Sequence, residues 1–413
     1  MSTVKRLPLG LTDFANLIDT NLLYVDKTDL VAEIAKVQGT FFLSRPRSFG
    51  KSILVSTFKE LFSHGTERFK GLKLEHSGWK DHLYPVVHLD FSMIPDYPAD
   101  RITFNQAFAA FLRRAFKRAG IKFKENGSWI YDLGSTLDRL PNRSLVLLID
   151  EYDAPLAHTL DQPEEFAARQ NLLDAFFAVI KSNNSKFRFA FVTGLASLSN
   201  FNFTSFNNVI DLSFDPQFGE VAGITQQELE DNFQDYIENA AAVLNKAKPE
   251  IKWDKNAVLR KLKEHYGGYS FDEDAYGQVY NPGSILKFML MPYMAFKNYW
   301  LDGGACTPSL LVKSIKKLKD SGQGLGDLAD FLNPGYVRES DTDCLSSLFG
   351  NTMDKCDLFA LLYQTGSLSI KSANAADGTL MVGIPNSEAE RAFCQVIVKE
   401  LTKGKTPDSS AFI

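Results

Sequence analysis

The sequence predicts an α/β protein with a three-layer core built on a parallel sheet. Two observations carry that expectation. The first half of the chain alternates short apolar runs with helical stretches, and the apolar runs are nearly continuous instead of alternating with polar residues. Parallel strands covered on both faces read in this way, and a βαβαβαβ order demands right-handed crossovers.

The strand-like runs are Thr40–Ser44, Val86–Phe91, Leu145–Asp150, Phe187–Thr193 and Val209–Phe214. Between them, Ser52–Ser63, Phe104–Ala119 and Glu164–Ser182 have helical spacing. After about residue 219 the character changes. Thr225–Leu244 reads as one helix, with Thr225 as N-cap and Glu228 three residues on as its capping-box partner. Tyr266-Gly267-Gly268-Tyr269 marks a turn, and Asn281-Pro282-Gly283-Ser284 precedes a further helix. Toward the end come a helix at Leu358–Gln364, a hairpin pairing Ser367–Lys371 with Leu380–Ile384, and a helix from Ser387 to about Leu401. Helix followed by hairpin is compatible with a winged-helix module.

Composition bounds the function. The 413 residues suggest two or three domains, and 45% hydrophobic with 23% charged residues describes a packed globular chain. Thirty-three phenylalanines supply ample core material. Forty-five basic against 50 acidic side chains leave a net charge of −5 and no overall positive field for nucleic acid. A local basic face stays open: Arg101, Arg113, Arg114, Lys117, Arg118, Lys122 and Lys124 surround an amphipathic helix whose apolar side is Phe108, Phe111, Leu112 and Phe116. A solvated surface is the simpler account of it, and of Lys313, Lys316, Lys317 and Lys319. Cys306, Cys344, Cys356 and Cys394 form no closely spaced pair, which argues against a zinc site or a disulfide framework. There is no signal-like N-terminus and no membrane-length apolar run, so the chain reads as cytoplasmic. No H-E-x-x-H pattern or G-x-S-x-G elbow is present.

The strongest chemical signal is Arg45-Pro46-Arg47-Ser48-Phe49-Gly50-Lys51-Ser52, lying between an apolar strand and a helix. That is the context of a phosphate-binding loop, the Walker A pattern. Backbone amides at the helix N-terminus attract phosphate oxygens, and Gly50 lets the backbone approach closely. Lys51 would reach the β- and γ-phosphates, and Ser52 would ligate Mg²⁺. The usual first glycine of G-x-x-x-x-G-K-S/T is Arg45 here. On the bland alternative, Ser52 simply caps a helix.

Leu145 to Ile149 is an apolar strand ending in Asp150-Glu151, a Walker B-like pattern that puts two carboxylates at the carboxyl edge of the sheet. Asp150 would hold Mg²⁺ through its water shell, and Glu151 would polarise the attacking water. Alone, such a pair is more often a solvated turn; after a phosphate loop in chain order it gains meaning. A third strand ends in Thr193-Gly194, where Thr193 would sense the γ-phosphate and orient water.

These residues resemble the bacterial AAA-ATPase-like proteins that commonly carry a C-terminal PD-(D/E)xK nuclease-like domain. The likeness spans nearly the whole chain: Leu7-Pro8-Leu9-Gly10, Tyr24-Val25-Asp26-Lys27-Thr28, the R-P-R-x-F-G-K-S loop, Ile149-Asp150-Glu151-Tyr152-Asp153, Thr193-Gly194, Asn207-Asn208, Tyr266-Gly267-Gly268-Tyr269, Tyr280-Asn281-Pro282, Tyr299-Trp300 and Ile384-Pro385-Asn386. The resemblance implies a P-loop core with strand order 5-1-4-3-2, a helical lid, and ATP with Mg²⁺ as the cofactors. It places the expected divisions at 1–219, 220–300 and 301–413. It also puts Tyr24 and Lys27 on the adenine side and the phosphates against Arg45, Arg47, Ser48, Phe49 and Gly50. Arg45 and Arg47 either contact phosphate or pair with Asp153 or another carboxylate; the two readings stand level. Around Ala196-Ser197-Leu198 relatives often carry a basic residue, which this chain lacks. No spaced Asp…Glu-x-Lys set appears before the chain ends at Ile413, and Glu400 with Lys403 reads as helix surface, so nuclease activity is not expected.

The expected reaction is in-line attack of water on the γ-phosphate of ATP, driven by positioning and charge stabilisation. A nucleotide-gated scaffold with negligible turnover and a nucleic-acid-associated module are the alternatives. A protein partner or self-association stays open.

Overall fold

The computed structural model describes residues 4–95, 102–124, 127–159, 162–195, 209–247, 249–299, 312, 337–346, 355–374 and 376–401. The chain divides into two compact units. One comprises Gly10–Ser44 and Gly50–Ser213; the other comprises Met1–Leu9, Arg45–Phe49 and Phe214–Ile413.

The first unit is a three-layer α/β core. Strands β1 (Gly39–Ser44), β2 (Val86–Asp90), β3 (Leu145–Asp150), β4 (Phe187–Gly194) and β5 (Val209–Asp211) form one sheet in the order β2-β3-β4-β1-β5. All four pairings are parallel. This is the expected order 5-1-4-3-2 read from the other edge. Every residue of β3 is buried, which explains its unbroken apolar run.

Helix α1 (Phe14–Asp19) and helix α2 (Thr28–Lys36) flank α3 (Lys51–His64), which lies on β2 and β3. Helix α4 (Phe104–Arg118) packs on β2, and α5 (Trp129–Asp138) packs on α7 (Pro163–Ser182), with the short α6 (Ala154–Ala157) between them in sequence. Much of the phenylalanine excess sits here. Phe58 and Phe62 of α3 pack on Phe189 and Phe191 of β4 with centroids 4.8–5.0 Å apart. Phe91, Phe108 and Phe176 form a second cluster. Helices α1, α2 and α5 are short, with 6, 9 and 10 residues, and the sequence pattern did not separate them from the loops around them. Helix α4 starts on a Thr103/Gln106 capping box. Strand β5 is shorter than expected because Asp211 accepts the Ser213 N–H at 2.8 Å and turns the chain out of the ladder.

The second unit holds the helical lid and a small C-terminal sheet. Thr225 and Glu228 form the anticipated capping box, but the single expected helix is two, α8 (Gln226–Asn232) and α9 (Gln234–Ala247). The buried stripe Leu229, Phe233, Ile237, Ala240 and Leu244 keeps helical spacing across the break, so periodicity could not reveal it. Helix α10 (Lys255–Tyr266) follows, and α11 (Pro282–Leu290) is capped by the Asn281 side chain. Strands β6 (Ile224–Thr225) and β7 (Val279–Tyr280) pair beside them.

In the C-terminal module, helix Lys355–Gln364 precedes the hairpin of β9 (Ser369–Asn374) and β10 (Thr379–Gly383), and helix Ser387–Leu401 follows. A strand absent from the sequence reading, β8 (Val337–Ser340), completes the order β8-β10-β9. Ala196-Ser197-Leu198, Ser199, Arg101, Asn207-Asn208, Trp300, Cys306, the lysines at 313–319 and Lys403 lie outside the described residues.

Glu388, 1% exposed, ties this module to α11 and the segment after it. It accepts the Ser284 hydroxyl at 2.8 Å and the Tyr299 N–H at 2.6 Å. Glu388→Ala leaves both donors without that acceptor, and the expected loss is about 1.5–3 kcal/mol. Glu388→Gln, which keeps an acceptor oxygen, loses less. Urea denaturation of the full chain reads both values.

Candidate functional site

The carboxyl edge of the sheet carries polar side chains on three consecutive strands. Asp90 ends β2 and Asp150 ends β3, in register with one another. Thr193 lies near the end of β4, the strand between β1 and β3, in register with Leu43 of β1. Its hydroxyl, 0% exposed, donates to Asp150 Oδ1 at 3.1 Å. The same oxygen accepts the Glu151 N–H, also at 3.1 Å. Asp150 is therefore a buried carboxylate held by two donors at a strand end.

Glu151 has φ +48, a left-handed backbone unusual for a residue with a Cβ. It turns the chain sharply out of β3, and the Tyr152 N–H then donates to the Thr193 carbonyl at 3.1 Å. Tyr152 is fully buried, with its ring edge-on to Phe42 of β1, and burial raises its phenol well above the ordinary value. Asp153 Oδ2 accepts the Leu195 N–H at 2.9 Å. The acidic segment and the β4 terminus are thus stitched together.

Asp90 was missed in the sequence, although Val86 to Leu89 followed by Asp90 is a less apolar version of the pattern that revealed Asp150. Burial, together with the charge of Asp150, pushes its carboxyl above the usual range, against hydrogen bonds from Ser92. Two residues earlier, burial and the charge of Lys59 hold His88 below the ordinary histidine value, while Asp150 and Asp13 pull the other way. Its Nε2 is buried without a hydrogen-bond partner.

The glycine–lysine–serine run lies where the sequence put it. Gly50, φ +95, is the N-cap of α3; Lys51 is the first helical residue and is buried, and Ser52 is half-exposed in the first turn. Ser48, two residues before Gly50, also has a left-handed backbone, φ +64. Arg47 is half-buried and Ser48 exposed. Arg45 is 1% exposed, its guanidinium 4.6 Å from the centre of the Phe271 ring and its Nη2 donating to the Phe218 carbonyl at 3.1 Å. Phe49 is buried, edge-on to Tyr269 and Phe271.

Tyr24 packs edge-on to Phe14, and burial of its hydroxyl, which is hydrogen-bonded to Thr57 of α3, raises its pKa. Lys27 is buried at the start of α2. Asp26 between them accepts from Thr28 and from the Lys73 N–H, fixing this segment to the turn at Lys73–His76.

Of the basic helix face, Arg114, Lys117, Arg118 and Lys122 are exposed. Among the described residues no group of three or more His, Cys, Asp or Glu side chains converges to hold a metal ion. Nor is any described helix long and apolar enough to cross a membrane.

A parallel sheet of this order, with a Gly-Lys-Ser helix start after β1 and an acidic terminus on β3, defines a P-loop NTPase fold suited to nucleotide binding. Residues 8–204 match the family model described as predicted AAA-ATPase, which assigns that stretch to the AAA-ATPase-like family. The chain is also similar to an uncharacterized protein in the vnfD 5′ region of Azotobacter chroococcum mcd 1, at 27% identity over 410 residues, covering 95% of this chain and 70% of that protein. Among solved structures, the Aeropyrum pernix ORC2 protein in its ADPNP and ADP complexes aligns over 95% of this chain and 98% of that one. Its TM-score of 0.36 and 11% identity are too distant to inform the site.

Gly194 sits where a Cβ would come within 2.5 Å of the Tyr152 ring and 2.9 Å of Asp153 Oδ1. Gly194→Ala must therefore push the acidic segment away from β4. The expected cost is about 1–3 kcal/mol, read as a lowered denaturation midpoint.

His88 makes a pH prediction. The unfolded chain takes up a proton near 6.5, whereas the native histidine stays neutral to lower pH. The unfolded state then binds more protons, so stability falls as the pH falls from 6.5 toward the native value. Urea midpoints measured across that window should slope less in His88→Leu than in the wild type.

Proposed function

We propose that the protein binds ATP with Mg²⁺ and hydrolyses it to ADP and phosphate. The observation that carries the reading is the buried Asp150, fixed by the Thr193 hydroxyl, at the carboxyl edge of a sheet whose β1 leads into the Gly50-Lys51-Ser52 helix start. In open α/β sheets ligands bind outside the carboxyl ends of the strands.

Lys51 neutralises the β- and γ-phosphates, and the amides of the loop and of the first turn of α3 receive their oxygens. Arg47, Ser48, Phe49 and Gly50 form the rest of the phosphate cradle. Arg45 shapes it from behind or contacts phosphate. One hydroxyl, Ser52, and one carboxylate, Asp150, suit Mg²⁺, which keeps several waters and takes few protein ligands. When bound, the ion offsets charge on the phosphates. Glu151 orients and polarises the attacking water, and Thr193 positions Asp150 and the γ-phosphate. Tyr24 and Lys27 serve the adenine side.

The core 1–219 is the nucleotide unit, 220–300 the lid and 301–413 a coupled module; the chain acts in the cytoplasm. The carboxylate of Glu151 next to Asp150 favours hydrolysis over a passive scaffold, since a general base is needed only where water attacks.

Mg-ATP binding and phosphate release are measured for the wild type, Lys51→Ala and Glu151→Gln. Lys51→Ala is expected to lose binding, and Glu151→Gln to bind ATP while turnover falls by about 10²-fold or more. Absence of wild-type binding overturns the reading. Binding without turnover, unchanged in Glu151→Gln, identifies a scaffold instead.

A further inference from the structure

We propose that Arg45 is a positioning residue: it holds the phosphate loop in shape through Phe271 and the Phe218 carbonyl, and does not ligate phosphate. The inference rests on the ATP reading and deepens it. In the common loop the first position is glycine, which shapes the backbone by its own freedom. Arg45 has no such freedom, and the left-handed backbone falls instead at Ser48 and Gly50. The shape of the loop must then be imposed by contacts.

The Arg45 guanidinium stacks over Phe271 and donates to the Phe218 carbonyl in the turn Pro216–Phe218. Phe49, four residues on, meets the same Phe271 edge-on with centroids 5.1 Å apart, and Tyr269 at 4.9 Å. Tyr269 and Phe271 are themselves stacked. Both ends of the Arg45–Phe49 segment therefore close on one ring. Two loop carbonyls are fixed as well: Phe49 accepts the Gly223 N–H at 3.0 Å and Ser48 accepts the Gly283 N–H at 3.3 Å.

A guanidinium at 1% exposure is desolvated, where a cation–π contact is worth most, and only a planar cation can stack and donate at once. The ring contact and the Phe218 carbonyl hold the guanidinium at a buried position in the loop, which suits a residue that shapes the loop. Tyr269 and Phe271 flank Ser270 in sequence, and their rings meet the loop at Phe49 and Arg45. This gives the Tyr266-Gly267-Gly268-Tyr269 stretch a task that its reading as a turn does not contain.

The test compares Arg45→Lys, Phe271→Leu, Phe271→Tyr and the double variant Arg45→Lys/Phe271→Leu in the full chain. Affinities for Mg-ATP and Mg-ADP are measured, with hydrogen exchange at the Gly223 and Gly283 amides in nucleotide-free protein. Arg45→Lys and Phe271→Leu are each expected to weaken both nucleotides by about tenfold, with the double variant no worse and Phe271→Tyr close to wild type. Exchange at the Gly223 amide rises in both single variants, and rises less at Gly283, whose N–H also donates to Asn281 Oδ1 at 2.9 Å. If Phe271→Leu does not fold, Phe271→Met takes its place. Wild-type affinity in the Phe271 variant, losses that multiply in the double variant, or a loss confined to ATP each overturn the proposal. If the wild type binds no Mg-ATP, the ATP reading fails while exchange still judges Arg45. Faster exchange in both variants supports its positioning role, and unchanged exchange overturns it.

Discussion

The constraint on which the architecture depends is the complete burial of β3. A strand with no exposed residue has no polar surroundings along its length, so its polar groups must wait for its end. Asp150 is that end, and it is tolerable in the fold because the Thr193 hydroxyl and a backbone amide meet it. Placing β4 between β1 and β3 brings Thr193 there, so the sheet order itself supplies the partner of the carboxylate. Helix α3, lying on β2 and β3, starts at the Gly50-Lys51 step after β1. Burial, strand order and helix start are three expressions of one arrangement.

Much of this was legible before any coordinates. The nearly continuous apolar runs at residues 40–44, 145–150 and 187–193 gave the parallel strands because such runs have one simple physical account. Gly50-Lys51-Ser52 and Asp150-Glu151 stood out because each broke an apolar run with the residue types that phosphate and metal chemistry use. The order of strands came from resemblance, since no spacing in the sequence decides which strand neighbours which. Asp90 escaped because His88 interrupts the apolar run before it. Phe233 escaped because a helix break that preserves the buried stripe leaves the pattern intact.

The role of Arg45 was the least legible element. A basic residue beside a phosphate loop invites an electrostatic reading, and sequence alone left that reading level with ion pairing. Two of its contacts are to a ring and a carbonyl more than 170 residues away in sequence, neither of which carries formal charge. Recognition of this kind depends on desolvation and shape, which leave no signature in local composition. The aromatic stretch around Tyr269 is similar: it looks like a turn from its glycines and acquires a second meaning only beside Phe49.

Ser48 and Glu151 hold backbone angles that glycine would adopt freely, at a cost of roughly 1–2 kcal/mol each for a residue with a Cβ. Selection for durability alone would place glycine at both positions, as it stands at Gly50. The same backbone occurs at Ala275 and Ala295, whose methyl groups carry no chemistry, so the strain is spread over the chain and is not confined to the candidate site. A campaign to make this protein more heat-resistant can therefore begin with glycine at Ala275 and Ala295, where no polar side chain is lost.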